Sequence, residues 1–305
     1  MRRSEMRRSI PTLSLLLVLL VPGHGGAQTE VERTVPLASD GSVEIETIAG
    51  SITVTAWPRD EVRISATLGR GAGELEIEGG GDAVSIEVSP RSRRGRDSWH
   101  AGDREAHLQV RVPEGARIDI ETISAEVALS GTTGEAAVTT VSGSLRVESR
   151  LRRLEAETVS GEIDLVEGAG RVEIETVSGP VTLRGGYDEL EVETVNGGVD
   201  LQSRAVQRGA LESVSGSLRL DLWPAPGADL EASSHSGSLE VVVPRDVSAH
   251  FSASTFSGRI RSDLGPRPRR TSRYGSEKEL EFTAGDGDAT VRLETFSGDL
   301  RLRVR

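Results

Sequence analysis

ETVSGEIDL (157–165) returns eighteen residues later as ETVSGPVTL (175–183), then as ETVNGGVDL (193–201) and ESVSGSLRL (212–220). A fixed period near 20 residues marks stacked repeats, in which one unit covers its apolar side only against the next. Aligned on the small turn, further copies are ETIAGSITV (46–54), ETISAEVAL (121–129), TTVSGSLRV (139–147), SSHSGSLEV (233–241), STFSGRIRS (254–262) and ETFSGDLRL (294–302). The spacing is 18 from Ala125 to Gly197, then 19, 21 and 21, and a last gap of 40 leaves room for two units.

Within a unit the apolar residues alternate. Leu190, Val192 and Thr194 share one parity, and Val199 and Leu201 form a second alternating pair beyond the turn. Alternation with β-branched residues predicts half-buried strands, and no helical periodicity is sustained after residue 30. The expectation is an all-β, parallel β-solenoid or β-helix-like stack. Its rungs would have 18–21 residues, stacked about 4.8 Å apart. A thin two-sided rung fits best, a three-sided one also accommodates 18 residues, and the less regular N-terminal third leaves room for antiparallel hairpins.

Two columns follow from the alignment. The first is Ser142, Ser160, Ser178, Asn196 and Ser215, each followed by Gly143, Gly161, Gly179, Gly197 or Gly216. A nucleophile is not replaced by Asn, whereas Ser and Asn both hydrogen-bond backbone in turns, so this column reads as construction. The glycines would supply positive φ or close backbone approach, and Ala125 implies a turn of another type. The preceding column runs Ile48, Ile123, Val141, Val159, Val177, Val195, Val214, His235, Phe256, Phe296. It is expected to form a buried corner, with His235 packed in an apolar place.

Outward positions form two glutamate columns, Glu155, Glu173, Glu191 and Glu157, Glu175, Glu193, Glu212. The turns lack the Asp of calcium-binding β-rolls, so no cofactor or metal is expected. Arg-rich insertions at 90–105 and 265–277 interrupt the pattern. In the first, Arg93, Arg94, Trp99 and His100 are candidate partner-binding residues, set against the plainer reading of a solvated loop.

Residues 1–27 read as a cleaved signal peptide: basic MRRSEMRRSI, apolar LSLLLVLLV (13–21), then Gly25-Gly26-Ala27. The apolar core is shorter than the roughly 20 residues of a membrane span. Residues 28–305 would then form a single repeat domain, periplasmic, envelope-associated or secreted. The chain has no cysteine, so burial and hydrogen bonding alone must hold it together. The whole chain carries −12 and the first 27 residues four Arg and one Glu, so the mature protein carries −15. That argues against nucleic acid as a partner. No HExxH, GxSxG, Walker or dinucleotide motif is present. The final GDLRLRVR (298–305) is expected to be an exposed edge strand. Arg301, Arg303 and Arg305 would blunt it by charge and keep the protein a monomer.

The repeated T-[VIF]-S-G before an alternating strand resembles the bacterial putative-adhesin family of β-strand repeat proteins. QVRVPEGARIDIETISAEVAL (109–129) and EVVVPRDVSAHFSASTFSGRI (240–260) are similar to it as well, and the resemblance spans about residues 40–305. It implies a β-repeat architecture and brings no catalytic residues. Two classes of function remain: a non-enzymatic exported protein binding an envelope component or protein partner, or a polysaccharide-active β-helix enzyme. The sparse aromatics (three Trp, two Tyr, four Phe) and the regular outer face favour the binder.

Overall fold

The computed structural model describes residues 29–89, 105–271 and 276–305. The expected signal peptide, and Arg93, Arg94, Trp99 and His100, lie outside the described residues. Among the described residues every regular element is a strand, and the strands join into one large sheet.

The middle of the chain is built as the period dictates. Arg153–Thr158 pairs in parallel with Glu135–Thr140 on one side and Ala169–Thr176 on the other, each eighteen residues away. Past the turn, Ile163–Leu165 lies in parallel between Leu145–Glu148 and Val181–Thr194. Two ladders therefore run side by side, and their inward residues form one buried core. Leu154, Ala156, Val172 and Ile174 come from one ladder; Ile163, Leu165, Val181 and Leu183 come from the other. The pairing slips at Gly185/Gly186, where the spacing changes from 18 to 19.

The sheet is mixed, not purely parallel. Glu61–Leu68 runs antiparallel to residues 29–36 and to Ala106–Pro113, the N-terminal hairpins that the irregular third allows. At the other end Lys278–Ala284 runs antiparallel to Ala249–Thr255. Within the second insertion, Arg269–Arg270 adds a short strand to Lys278–Ala284.

The order of rungs in space also departs from the order in sequence. Residues 42–47 lie between 83–87 and 117–122, so the first rung is interior. Likewise Ala289–Thr295 sits between Asp229–Ser234 and Ala249–Thr255. Leu300–Val304 sits between Leu239–Val243 and Ile260–Ser262. The expected C-terminal edge is thus wrong: the last strand is flanked on both sides. The reason lies in the side chains. Val291, Leu293, Leu300 and Leu302 are all exposed by 1% or less and need a rung above and below. KELEFTA (278–284) buries only Leu280 and carries three charges, which suits a strand at the end of the stack. Among the described residues only the two-residue Arg269–Arg270 covers it beyond. Two of the three terminal arginines find partners within the stack instead of guarding an edge. Arg303 bonds Glu240 at 3.1 Å; Arg305 pairs with Asp221 and lies 3.6 Å from the Trp223 ring centroid. The 40-residue gap holds the antiparallel strand Lys278–Ala284 and the short Arg269–Arg270, not two further rungs.

Candidate functional site

Each corner is set by three side-chain roles in fixed sequence. Thr158 ends its strand pointing inward, and its Oγ1 accepts the Gly161 N–H at 2.9 Å. Thr140, Thr176, Thr194, Ser213 and Ser234 do the same at 2.8–3.2 Å. The serines act between rungs. Ser142, Ser160, Ser178 and Ser215 donate their hydroxyls to the carbonyls of Ile123, Val141, Val159 and Val195 at 3.1–3.3 Å. Asn196 fits the same column, its Oδ1 accepting the Ser215 hydroxyl.

The glycines are needed for room. Gly143, Gly161, Gly179, Gly197 and Gly216 do not have positive φ. A Cβ on Gly161 would lie 1.9 Å from the carbonyl oxygen of Gly143, and the others are as tight. Ala125 keeps the same cap, its N–H bonding Thr122 Oγ1 at 3.1 Å, so its turn is not of another type. The departure falls on Gly50, the corresponding residue of the adjacent rung, at φ 119°.

The column before the serines is exposed, correcting the buried-corner expectation. Ile48, Ile123, Val141, Val159, Val177, Val195, Val214, Phe256 and Phe296 are 36–52% exposed, and they are all of the exposed large apolar side chains among the described residues. Strand parity explains it. Thr158, Thr176 and Thr194 share the inward parity of the core, so the next residue must face out. His235 is exposed too and is a ring in a stack, not a packed core residue. Phe296 lies between His235 and Phe256, with centroids 4.9 Å away on each side and planes within 6° of parallel. Only the intercalated last rung brings Phe296 there.

Two residues back along each strand stands the inner glutamate column, Glu157, Glu175, Glu193 and Glu212. Together the columns line a shallow groove of about 870 Å³ running from Thr139 to Phe256 and Phe296. The full apolar column, Ile48 to Phe256, spans nine rung intervals, about 43 Å at strand spacing.

The two glutamate columns differ in their neighbours. The outer one is interleaved with arginine: Arg153 bonds Glu155 and Glu173, and Arg171 reaches Glu173, Glu189 and Glu191. Among the described residues the inner four glutamates have no ion-pair partner. The Glu175 carboxyl is pushed above its ordinary value, first by desolvation, then by Glu157 and Glu193. Glu46 is raised likewise, by desolvation and then by Glu87 and Glu121. The result is a strip, apolar along one side and anionic along the other. The sequence displayed both columns; the strip was missed because the apolar one was assigned to the interior.

The Toastrack DUF4097 family model matches residues 41–303. The chain belongs to that family. Solved structures share its fold across nearly their whole length. A putative lipid binding protein from Parabacteroides distasonis ATCC 8503 is 13% identical with a TM-score of 0.52, the match covering 92% of this chain and 98% of that one. A putative adhesin from Parabacteroides merdae ATCC 43184 is 10% identical with a TM-score of 0.51, over the same shares. At such identities the likeness is one of fold. No curated protein matches the sequence. The Toastrack match takes in both chain ends that thread inward, 42–47 and 289–302.

Proposed function

We propose that this Toastrack protein is an exported, non-enzymatic binding scaffold. Its rungs act as a parallel solenoid that displays the apolar–anionic strip to an envelope component or protein partner. One observation carries the reading: every exposed large apolar side chain among the described residues lies in a single column. Scattered exposed apolar residues need no explanation, but a contiguous run of them rimmed by polar groups marks a contact surface. The basic and apolar stretch at 1–27 supports export, and the two solved neighbours, described as a putative lipid binding protein and a putative adhesin, fit a binding role.

The test is retention by native envelope fractions, compared between the wild-type chain and a V159T/V177T/V195T variant. These positions are solvent-facing, so circular dichroism should be unchanged while retention falls. Equal retention by a folded variant would overturn the strip as the binding surface. Fractionation with mass spectrometry of the N-terminus checks the export half, with Gln28 expected as the first residue.

A further inference from the structure

Resting on that reading, we propose that the strip takes a basic amphipathic α-helix of a partner protein, laid along the stack across the strands. Charge complementarity is the first argument. Glu157, Glu175, Glu193 and Glu212 form a column with no ion-pair partner among the described residues, while the outer column is matched by arginine. The Glu175 carboxyl is raised first by desolvation and then by like charge from Glu157 and Glu193, and a row of cations would relieve the second of these. The apolar residues two positions on run parallel to that column, so the occupant must present a cationic row beside an apolar row.

Spacing selects the secondary structure. At the inter-strand distance the four carboxylates fall at about 0, 4.8, 9.6 and 14.4 Å along the stack. Helix residues i, i+3, i+7 and i+10 lie on one face and fall at about 0, 4.5, 10.5 and 15.0 Å along the axis. Each cation therefore meets its carboxylate to within about 1 Å of axial offset. An extended peptide lying the same way presents same-face residues at about 0, 6.8 and 13.6 Å, already 2 Å out at the first step and 4 Å at the second. The groove from Val141 to Phe256 spans seven rung intervals, about 34 Å, or about 22 helical residues. The stacked rings of His235, Phe296 and Phe256 line one end of the groove and can pack against an aliphatic or aromatic side chain.

The experiment uses the whole chain and a fluorescent 22-residue synthetic peptide with Lys at i, i+3, i+7 and i+10 beside a Leu row. Controls are a peptide of the same composition in strict alternation and vesicles of zwitterionic or anionic lipid. Anisotropy should show saturable binding of the helical peptide, with a gain in helical circular dichroism. E157Q/E175Q/E193Q should weaken it about tenfold, since three half-exposed charge pairs are removed, and salt should weaken it in parallel. V159T/V177T should weaken it without changing the salt slope. Equal binding of the alternating peptide, indifference to the glutamine variant, or binding of vesicles alone would overturn the helix proposal. So would self-association of the free chain through the strip, seen by light scattering and abolished by V159T/V177T. If envelope retention still depends on the valines in any of those cases, the strip stands as a binding surface and only its occupant has been misassigned. If neither probe nor envelope depends on them, both readings fall.

Discussion

Replacing Gly161 with alanine probes one of the tight contacts between rungs. The added Cβ would stand 1.9 Å from the carbonyl oxygen of Gly143 and within 2.9 Å of Thr158 Oγ1. The first of these atoms is backbone of the next rung and cannot swing away as a side chain would. Ordinary contact begins near 3.4 Å, so the two rungs must part locally. Two backbone hydrogen bonds join them at this corner, Ser160 N–H to Val141 O at 3.0 Å and Leu145 N–H to Glu162 O at 2.8 Å. At about 1 kcal/mol net for each bond, plus the cost of disturbed packing, the substitution should destabilise by about 2–4 kcal/mol. Ser160→Ala removes only an exposed hydroxyl bonded to Val141 O at 3.3 Å and should cost no more than about 0.5 kcal/mol.

Urea denaturation of the two variants and the wild type, followed by far-ultraviolet circular dichroism, reads the difference directly. A lower midpoint at unchanged slope is the expected result for Gly161→Ala; a change in slope would mean that the stack has begun to unfold in parts. Should Gly161→Ala cost as little as Ser160→Ala, the rungs would not be in contact at the corner, and the reason given for glycine would be wrong.

Thr158→Val should destabilise by about 1–3 kcal/mol in the same assay, because the buried Gly161 N–H loses its acceptor. Thr158→Ser should retain the bond, as Ser213 and Ser234 do, and hydrogen exchange at Gly161 will distinguish the two. The Glu175 carboxyl, raised in the fold by desolvation and by Glu157 and Glu193, binds its proton more tightly folded than unfolded. Its contribution to stability is therefore greatest at low pH and is lost as pH rises through the carboxylate range toward the folded value. Carbon-13 titration of the side chain should give a midpoint above that of Glu in an unfolded peptide, and E157Q/E193Q should bring it part of the way back. Deleting residues 285–305 removes a rung from inside the stack. Limited proteolysis should then cut 249–284 as well, whereas loss of a true end rung would leave its neighbour protected.

The building plan was legible because it is local: alternation, a small turn and an eighteen-residue return all lie within one window of sequence. The order of rungs was not, and for a physical reason. ETFSGDLRL carries the same inward and outward pattern as STFSGRIRS, so either would pair with SSHSGSLEV equally well by pattern alone. What separates them is the connection each must make, and the charged KELEFTA strand that can end a sheet lies after only one of them. The exposed column is a different case, since its place was written in the parity. Thr194 lies on the same side as Leu190 and Val192, and Val195 therefore cannot. An apolar residue was read as a buried one, which holds for most strands but not for a position forced outward. The Thr or Ser and the Gly at each corner are fixed by bonds that the corner requires, and the outward residue between them is free of those bonds. It nevertheless stays Ile, Val or Phe at every copy of the repeat but the one with His235. On the proposed function this outward column is the contact surface, and its apolar character is then set by the partner as well as by the fold.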